Sequence, residues 1–218
     1  MTRTLILVPT EPERRVVRDH LPALPPTARM ELCGFGIVAA AARTAGLVAT
    51  LAPERVILVG IAGALDGSIA VGRAALFGSV ACHGIGAGSG HDFVPAARLG
   101  WPQWPGDPAD PREAIGDLLH CTLPDGPRDE RAPLLLTVAS TSAGEGDVAL
   151  RRALHPDAAA EEMEGFAVAV ACRLAGVPLT IVRGISNEAG DRDTSRWRVD
   201  EALGAAARLL RTIVGEGE

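Results

Sequence analysis

The chain has 218 residues, 47% of them hydrophobic, and a formal net charge of −6 at neutral pH. That length and apolar content suit one globular domain, residues 1–218, with a core of its own. The acidic balance, the lack of a basic block and the absence of Tyr argue against nucleic acid as a partner, since such binding rests on phosphate neutralisation and stacking on aromatic side chains.

The first segment, "MTRTLILVPTEPERR", has an apolar run that stops at Pro9. It is too short for a signal peptide or a membrane span and reads as a strand over 3–8. Glu11 and Glu13 follow at a helix start. A surface position is the ordinary expectation for Glu11, whereas Glu13 lies further in, where it can project over the sheet end. "CGFGIVAAAA" places Gly34 and Gly36 before an Ala-rich helix at 36–51 bounded by Pro53. A helix N-terminus is an anion site in principle, but close packing on a sheet explains the small residues equally well. "RVILVG" (55–60) reads as a strand, and "VGIAGAL" then sets Gly60 and Gly63 just beyond it. These glycines suit either a tight turn or backbone amides brought close to a ligand; the segment is neither GxGxxG nor a P-loop.

"AALFGSVAC" (74–82) reads as another strand. Residues 83–132, with "GIGAGSGHD" and "GWPQWPGDP", read as a long surface excursion carrying one helix at 111–120, and long loops of this kind are often functional. His83 and His91 fall in it and are expected to be structural or exposed; Trp101 and Trp104 suit an interface or a lid. "PLLLTVAS" (133–140) is the next strand, followed by Ser140–Gly144. "EGFAVAVACRLAG" (164–176) is a helix that stops at Gly176-Val177-Pro178, and "PLTIVRG" (178–184) a strand ending at Arg183-Gly184. Ser186 and Asn187 then precede an acidic loop, and the Asn amide is either a ligand group or part of an Asx turn. "DEALGAAARLLRTIV" (200–214) is an amphipathic helix with Leu203, Ala206, Ala207, Leu210 and Ile213 on one face. Cysteines 33, 82, 121 and 172 form no CxxC pair, so reduced thiols in a cytoplasmic protein are expected and a zinc site is not.

Continuous apolar strands alternating with helices point to a three-layer α/β/α sandwich around a mixed, largely parallel sheet. In such sheets ligands collect at the carboxyl ends of the strands. The positions to inspect are therefore Thr10–Glu13, Gly60–Gly63, Ser140–Gly144, Glu162–Glu164 and Ser186–Asp193. The acidic run Glu161, Glu162 and Glu164 opens the helix at 164–176, where capping favours negative charge.

Taken in order, "VGIAGAL", "EEMEGFAVAVAC" and "VRGISNEAGD" resemble the nucleoside phosphorylase and nucleosidase superfamily. Its hydrolytic branch, which includes methylthioadenosine/S-adenosylhomocysteine nucleosidase, is the nearer part, and within that branch the segments look most like the futalosine hydrolases of the alternative menaquinone pathway. The resemblance implies a nucleoside phosphorylase-like fold and an N-ribosyl hydrolase that acts on a small nucleoside, needs no metal or organic cofactor, and forms a homo-oligomer, a dimer or larger. By the same resemblance, Met163 packs on the ribose, Glu164 accepts from its hydroxyls with Glu162 assisting, and Glu161 keeps a capping role. Glu13 is the base that activates water, with Glu11 as fallback. Ala62 and Gly63 line the sugar and nucleophile pocket, Thr141 and Ser142 face the purine, and Ser186 and Asn187 close the base end.

Adenine-specific members carry Asp where this chain has Asn187. Adenine presents an acceptor at N7 beside a donor amino group, whereas a 6-oxopurine presents two acceptors, which suit the Asn NH2. Hypoxanthine is therefore the expected leaving group. Arg183 is expected to steady the Asn187 loop, and Arg192, Arg196 and Arg198 to meet the benzoate carboxylate of futalosine. Another purine nucleosidase, a phosphate-dependent phosphorylase and a non-catalytic nucleoside-binding protein are the competing readings. With Ile61 in "VGIAG" and no Arg close by in sequence, water is favoured over phosphate.

Overall fold

The computed structural model describes residues 3–21, 23–107, 109–110, 113–124 and 132–215. In chain order these form β1 (Thr4–Val8), α1 (Glu11–Asp19), β2 (Ala28–Leu32), α2 (Gly36–Leu51), β3 (Arg55–Ala64), β4 (Ala74–Phe77), β5 (Ser79–His83), a small hairpin of β6 (Gly86–Ala87) and β7 (Val94–Pro95), and β8 (Leu118–His120). They continue as β9 (Leu134–Val138), α3 (Glu145–Leu154), β10 (Ala158–Glu162), α4 (Gly165–Leu174), β11 (Leu179–Glu188) and α5 (Val199–Gly215).

Among the described residues a nine-stranded mixed sheet runs β2-β1-β3-β10-β9-β5-β8, with β11 joined to β3 and β4. The β1–β2, β1–β3, β3–β11, β9–β10 and β5–β9 pairs are parallel. β3 organises the site. β11 pairs with it from Val56 to Ala64, while β1 takes residues 55–58 and β10 pairs antiparallel with Gly63 and Ala64. Three strand ends therefore meet around Gly63.

The apolar strands are buried because helices cover both faces. Leu5, Leu7 and Leu58 pack with Leu47 and Val48 of α2 and Phe166 and Val168 of α4. Their neighbours Ile6, Val8 and Ile57 turn the other way, onto Val17 of α1 and Leu203, Ala206 and Leu210 of α5. Alternate residues of one continuous apolar run thus feed two cores, as the three-layer reading requires. No helix among the described residues is long and apolar enough to cross a membrane.

Several segments differ from the sequence reading. The run 74–82 is two strands, because the chain changes partners at Gly78: β4 pairs with β11, and β5 with β9. No helix forms over 114–120. Ile115 is fully buried and bridges to Trp104, and β8 pairs antiparallel with β5, so this part of the excursion is stitched to the sheet edge. Residues 108, 111–112 and 125–131 of that segment lie outside the described residues. β11 does not end at Gly184 but continues through Asn187 to Glu188 across a register shift between Ile185 and Asn187.

Candidate active site

The glutamate cluster is built by a strand end together with the expected helix start, where Glu164 is the N-cap of α4. β10 is fully buried and carries Glu161 and Glu162 at its end. Strand alternation sends their side chains to opposite faces, and the expectation that Glu161 is merely a cap is overturned. The capping is done by Glu162, whose carboxylate accepts from the backbone N–H groups of Glu164 and Gly165 at 2.8–2.9 Å. Thr137 Oγ1 donates to Glu162 and itself accepts from Phe166 N at 2.8 Å. The first turn of α4 is thereby satisfied by groups from two strands.

Arg183 of β11 lies behind this cluster and is fully buried. Its Nη2 pairs with Glu162 Oε2 and lies 3.3 Å from Glu164 Oε2. It therefore fixes the carboxylates and does not steady the Asn187 loop, as the sequence had suggested. A charge in an apolar strand requires such partners. Glu164 Oε1 accepts from Gly36 N at 2.9 Å, so the α2 N-terminus, which has no side-chain cap of its own, is closed by Glu164. The anion that suits Gly34–Gly36 is a side chain of this chain. Burial pushes the Glu164 carboxyl up to about 7, Arg183 opposes that, and neighbouring Glu162 adds to it.

Glu13 reaches the same place from the opposite side. Thr10-Glu-Pro-Glu13 opens α1 in the pattern of a capping box, and Thr10 Oγ1 is near Glu13 N at 3.5 Å. The Glu13 carboxylate turns away from its own helix. Its Oε2 accepts from Thr10 Oγ1 at 2.6 Å and its Oε1 from Ile61 N at 3.1 Å. Gly60 leaves the space for this, since a methyl group there would collide with Arg183 Nη1 and lie 2.9 Å from Glu13 Oε1. Glu11 is exposed and paired with Arg14, which removes it as the alternative. An arginine thus stands close to Gly60 in space though none is close in sequence.

At the other end, Ser186 Oγ donates to Asn187 Oδ1 at 2.7 Å and Asn187 Nδ2 donates to the Glu188 carbonyl at 2.8 Å. The amide is thereby oriented, with one N–H of Nδ2 left over. Ser142 is buried, and its N–H donates to Glu161 Oε1 at 2.7 Å. Arg151 of α3 ties Ser142 Oγ, Glu161 and the Ser140 carbonyl together. Neither α3 nor the roles of Arg151 and Glu161 were read from the sequence.

Glu13, Ala62, Gly63, Thr141, Ser142, Glu162, Met163, Glu164, Ser186 and Asn187 all line one cavity of about 300 Å³, together with Phe35, Ile61, Glu161, Gly190, Arg192 and Trp197. Of the three arginines expected near a carboxylate, only Arg192 reaches the wall. It donates to Thr141 Oγ1 at 3.1 Å and lies 5.8 Å from the Trp197 ring centroid. Arg196 is held by Asp191 and Asp193, and Arg198 by Glu201. His83 packs at a tilt against Phe93, with ring centroids 5.0 Å apart, and bonds His155 at 3.2 Å; neither histidine lines the cavity. Among the described residues no group of three metal-ligating side chains occurs.

A carboxylate on a backbone amide, a second carboxylate beside a Met, and an oriented Asn thus surround one slot. Residues 124–215 match the model of the phosphorylase superfamily. The chain is 34% identical to the futalosine hydrolase of Thermus thermophilus over 84% of this chain and 79% of the other. It is 31% identical to that of Streptomyces coelicolor, over 79% and 72%. In structure it is similar to a 5′-methylthioadenosine/S-adenosylhomocysteine nucleosidase of Colwellia psychrerythraea crystallised with adenine, with a TM-score of 0.76, 23% identity, and 99% and 95% of the two chains covered. The chain belongs to the phosphorylase superfamily, in its nucleosidase group, and is an N-ribosyl hydrolase.

Proposed function

We propose that this enzyme hydrolyses the N-glycosidic bond of futalosine, releasing hypoxanthine and dehypoxanthine futalosine for menaquinone biosynthesis in the cytoplasm. The oriented amide of Asn187 carries the reading: its Oδ1 is occupied by Ser186, and the free N–H of Nδ2 suits the acceptor edge of a 6-oxopurine. Two futalosine hydrolases among the relatives support it. The nucleosidase of Colwellia psychrerythraea, bound to adenine, favours a second reading, an adenine nucleosidase, against which Asn187 stands.

Cleavage of an N-glycoside passes through an oxocarbenium-like ribosyl state. Glu164, beside Met163 in the cavity, accepts from the sugar hydroxyls and places negative charge near the developing cation. Asn187 hydrogen-bonds the departing base. Glu13 Oε2, next to the Thr10 hydroxyl, orients and deprotonates the attacking water. The Ile61 amide is already taken by Glu13, which removes a backbone donor that phosphate would need and supports water as nucleophile.

Hypoxanthine and adenine release from futalosine, inosine and methylthioadenosine, with and without phosphate, tests this reading. Release of hypoxanthine from futalosine, indifferent to phosphate, is expected; a phosphate requirement or a preference for methylthioadenosine overturns it. Phe35 lines the cavity yet is 65% exposed, and Val38 on the next turn is more so. This supports a homo-oligomer, which sedimentation at twice the chain mass or more would reveal.

A further inference from the structure

Glu161 stands outside this mechanism, although it is buried and lines the cavity. Its carboxylate is fixed from two elements. Oε1 accepts from Ser142 N at 2.7 Å, and Oε2 accepts from Ser142 Oγ at 2.9 Å and from Arg151 Nη1. Both donors of Ser142 therefore end on Glu161, and this wall of the cavity presents an acceptor. A carboxylate has about four acceptor positions; three are occupied, and the remaining one belongs to Oε1.

The sheet register sets Glu161 opposite a defined partner. Gly63 of β3 pairs with Glu161 of β10 on one side and with Asn187 of β11 on the other. Residues in register on adjacent strands project to the same face, and each strand is about 4.8 Å from the next. A side chain on Gly63 would lie 3.5 Å from Asn187 Nδ2, so the glycine floors a slot with an amide donor at one edge and a carboxylate acceptor at the other. A 6-oxopurine fits this pattern, with acceptors at N7 and O6 and an N–H at N1. Adenine has an acceptor at N1 and would set a lone pair against the carboxylate.

We propose that Glu161, held by Arg151 and Ser142, is a specificity-determining residue that accepts the N1–H of a 6-oxopurine across Gly63 from Asn187. This rests on the reading of the slot as the base site of a purine nucleosidase. Without Glu161 the Asn187 amide alone would choose the base; with it, two edges are read.

Calorimetric titration of hypoxanthine and 1-methylhypoxanthine into the wild-type enzyme and Glu161→Gln tests the assignment without turnover. A hydrogen bond to a charged group is worth about tenfold to a hundredfold in affinity. The wild type is expected to bind 1-methylhypoxanthine at least tenfold more weakly than hypoxanthine. Glu161→Gln is expected to lose hypoxanthine affinity by a similar factor, leaving the two bases alike. Equal binding of both bases by the wild type overturns the proposal, as does an unchanged ratio in a variant that melts normally. Should the variant fail to fold, the wild-type ratio decides. An enzyme that discriminates the methyl group but leaves futalosine intact overturns the proposed reaction and keeps the role of Glu161. One that cleaves futalosine yet ignores the methyl group overturns the role of Glu161 alone.

Discussion

Arg183 Nη2 lies 3.3 Å from Glu164 Oε2 while its guanidinium is wholly out of water, so a carboxylate on the cavity wall is tuned by a cation that does not line the cavity. Three carboxylates, Glu162, Glu164 and Glu13, act on that one arginine. Burial raises the Glu164 carboxyl to about 7 against the pull of Arg183. On the proposed role turnover needs Glu164 ionised, so kcat is expected to rise with pH through a midpoint near 7. Glu164→Gln should abolish that limb and lower kcat by about 10²–10³-fold. A pH–rate profile measured on both proteins checks this, and a flat wild-type profile between pH 5 and 8 refutes it.

The same shift has a stability consequence of fixed sign. The folded-state value of Glu164 lies above its ordinary 4.5, so the native protein holds a proton that the unfolded chain has already released. The stabilisation is complete below the unfolded value and lost as pH rises through about 7. Glu164→Gln does not titrate. The Tm difference, variant minus wild type, is therefore expected to move in the variant's favour between pH 5 and pH 8, as read by thermal unfolding in matched buffers.

Glu13 and Glu11 separate cleanly. Glu13 is buried and bonded to Ile61 N, whereas Glu11 is at the surface with Arg14. Glu13→Gln keeps an acceptor for the Ile61 amide but cannot take a proton, and kcat should fall by about 10²–10⁴-fold with little change in KM. Glu11→Gln should leave the rate within about twofold, since an exposed ion pair contributes little. Steady-state kinetics on the pair decide it; equal losses would remove Glu13 as the base.

The legible part of this fold was what hydrophobic periodicity writes locally. The bounds of α2 follow from its Ala-rich run and Pro53, and β1 and the first half of β3 from unbroken apolar residues. β10 was not legible, because "AAAEE" has poor strand propensity and takes its form from the slot between β3 and β9. Once it is a strand, Glu161 and Glu162 diverge; read as a helix start, they are one acidic patch. Arg183 does carry a signal in the sequence. A charge inside "LTIVRGI" must find a carboxylate when both faces of the sheet are covered, and "EEME" is the acidic run twenty residues before it. The partnership of Arg151 with Ser142 and Glu161 left no such trace, since it depends on how α3 packs.

The two glycines of β3 differ in what they make room for. At Gly60 an added methyl meets the Arg183 guanidinium and comes within 3.1 Å of Pro9 Cδ, with no flexible end free to yield on the proline side. Gly60→Ala is expected to cost about 1–3 kcal/mol, a fall in Tm of several degrees for a chain of this size, together with most of the activity. At Gly63 the added group makes only ordinary contacts of 3.4–3.5 Å, yet it projects into the proposed base slot. Gly63→Ala should melt close to wild type while KM rises. Thermal unfolding and kinetics on both variants distinguish crowding of the fold from crowding of the substrate.

Asn187→Asp tests base choice at the opposite edge from Glu161. The change keeps the size of the side chain and its acceptor for Ser186 Oγ, but replaces the NH2, whose free N–H is proposed to meet the base, with an oxygen. Toward hypoxanthine that oxygen is a mismatch unless protonated, and a protonated carboxyl has a single hydrogen for the base and the Glu188 carbonyl together, where the amide has one for each. Mispaired buried polar groups cost about 1–3 kcal/mol, so the kcat/KM for the hypoxanthine nucleoside should fall roughly 5- to 150-fold. Adenine release should fall less or rise, because its amino group gains an acceptor. The ratio of the two, from parallel assays on futalosine and methylthioadenosine, is the informative quantity. It should move toward adenine while Glu161 still opposes the adenine N1, so the switch is expected to be partial in Asn187→Asp and larger when Glu161→Gln is added. A ratio that stays fixed in both proteins would mean that neither edge of the slot reads the base.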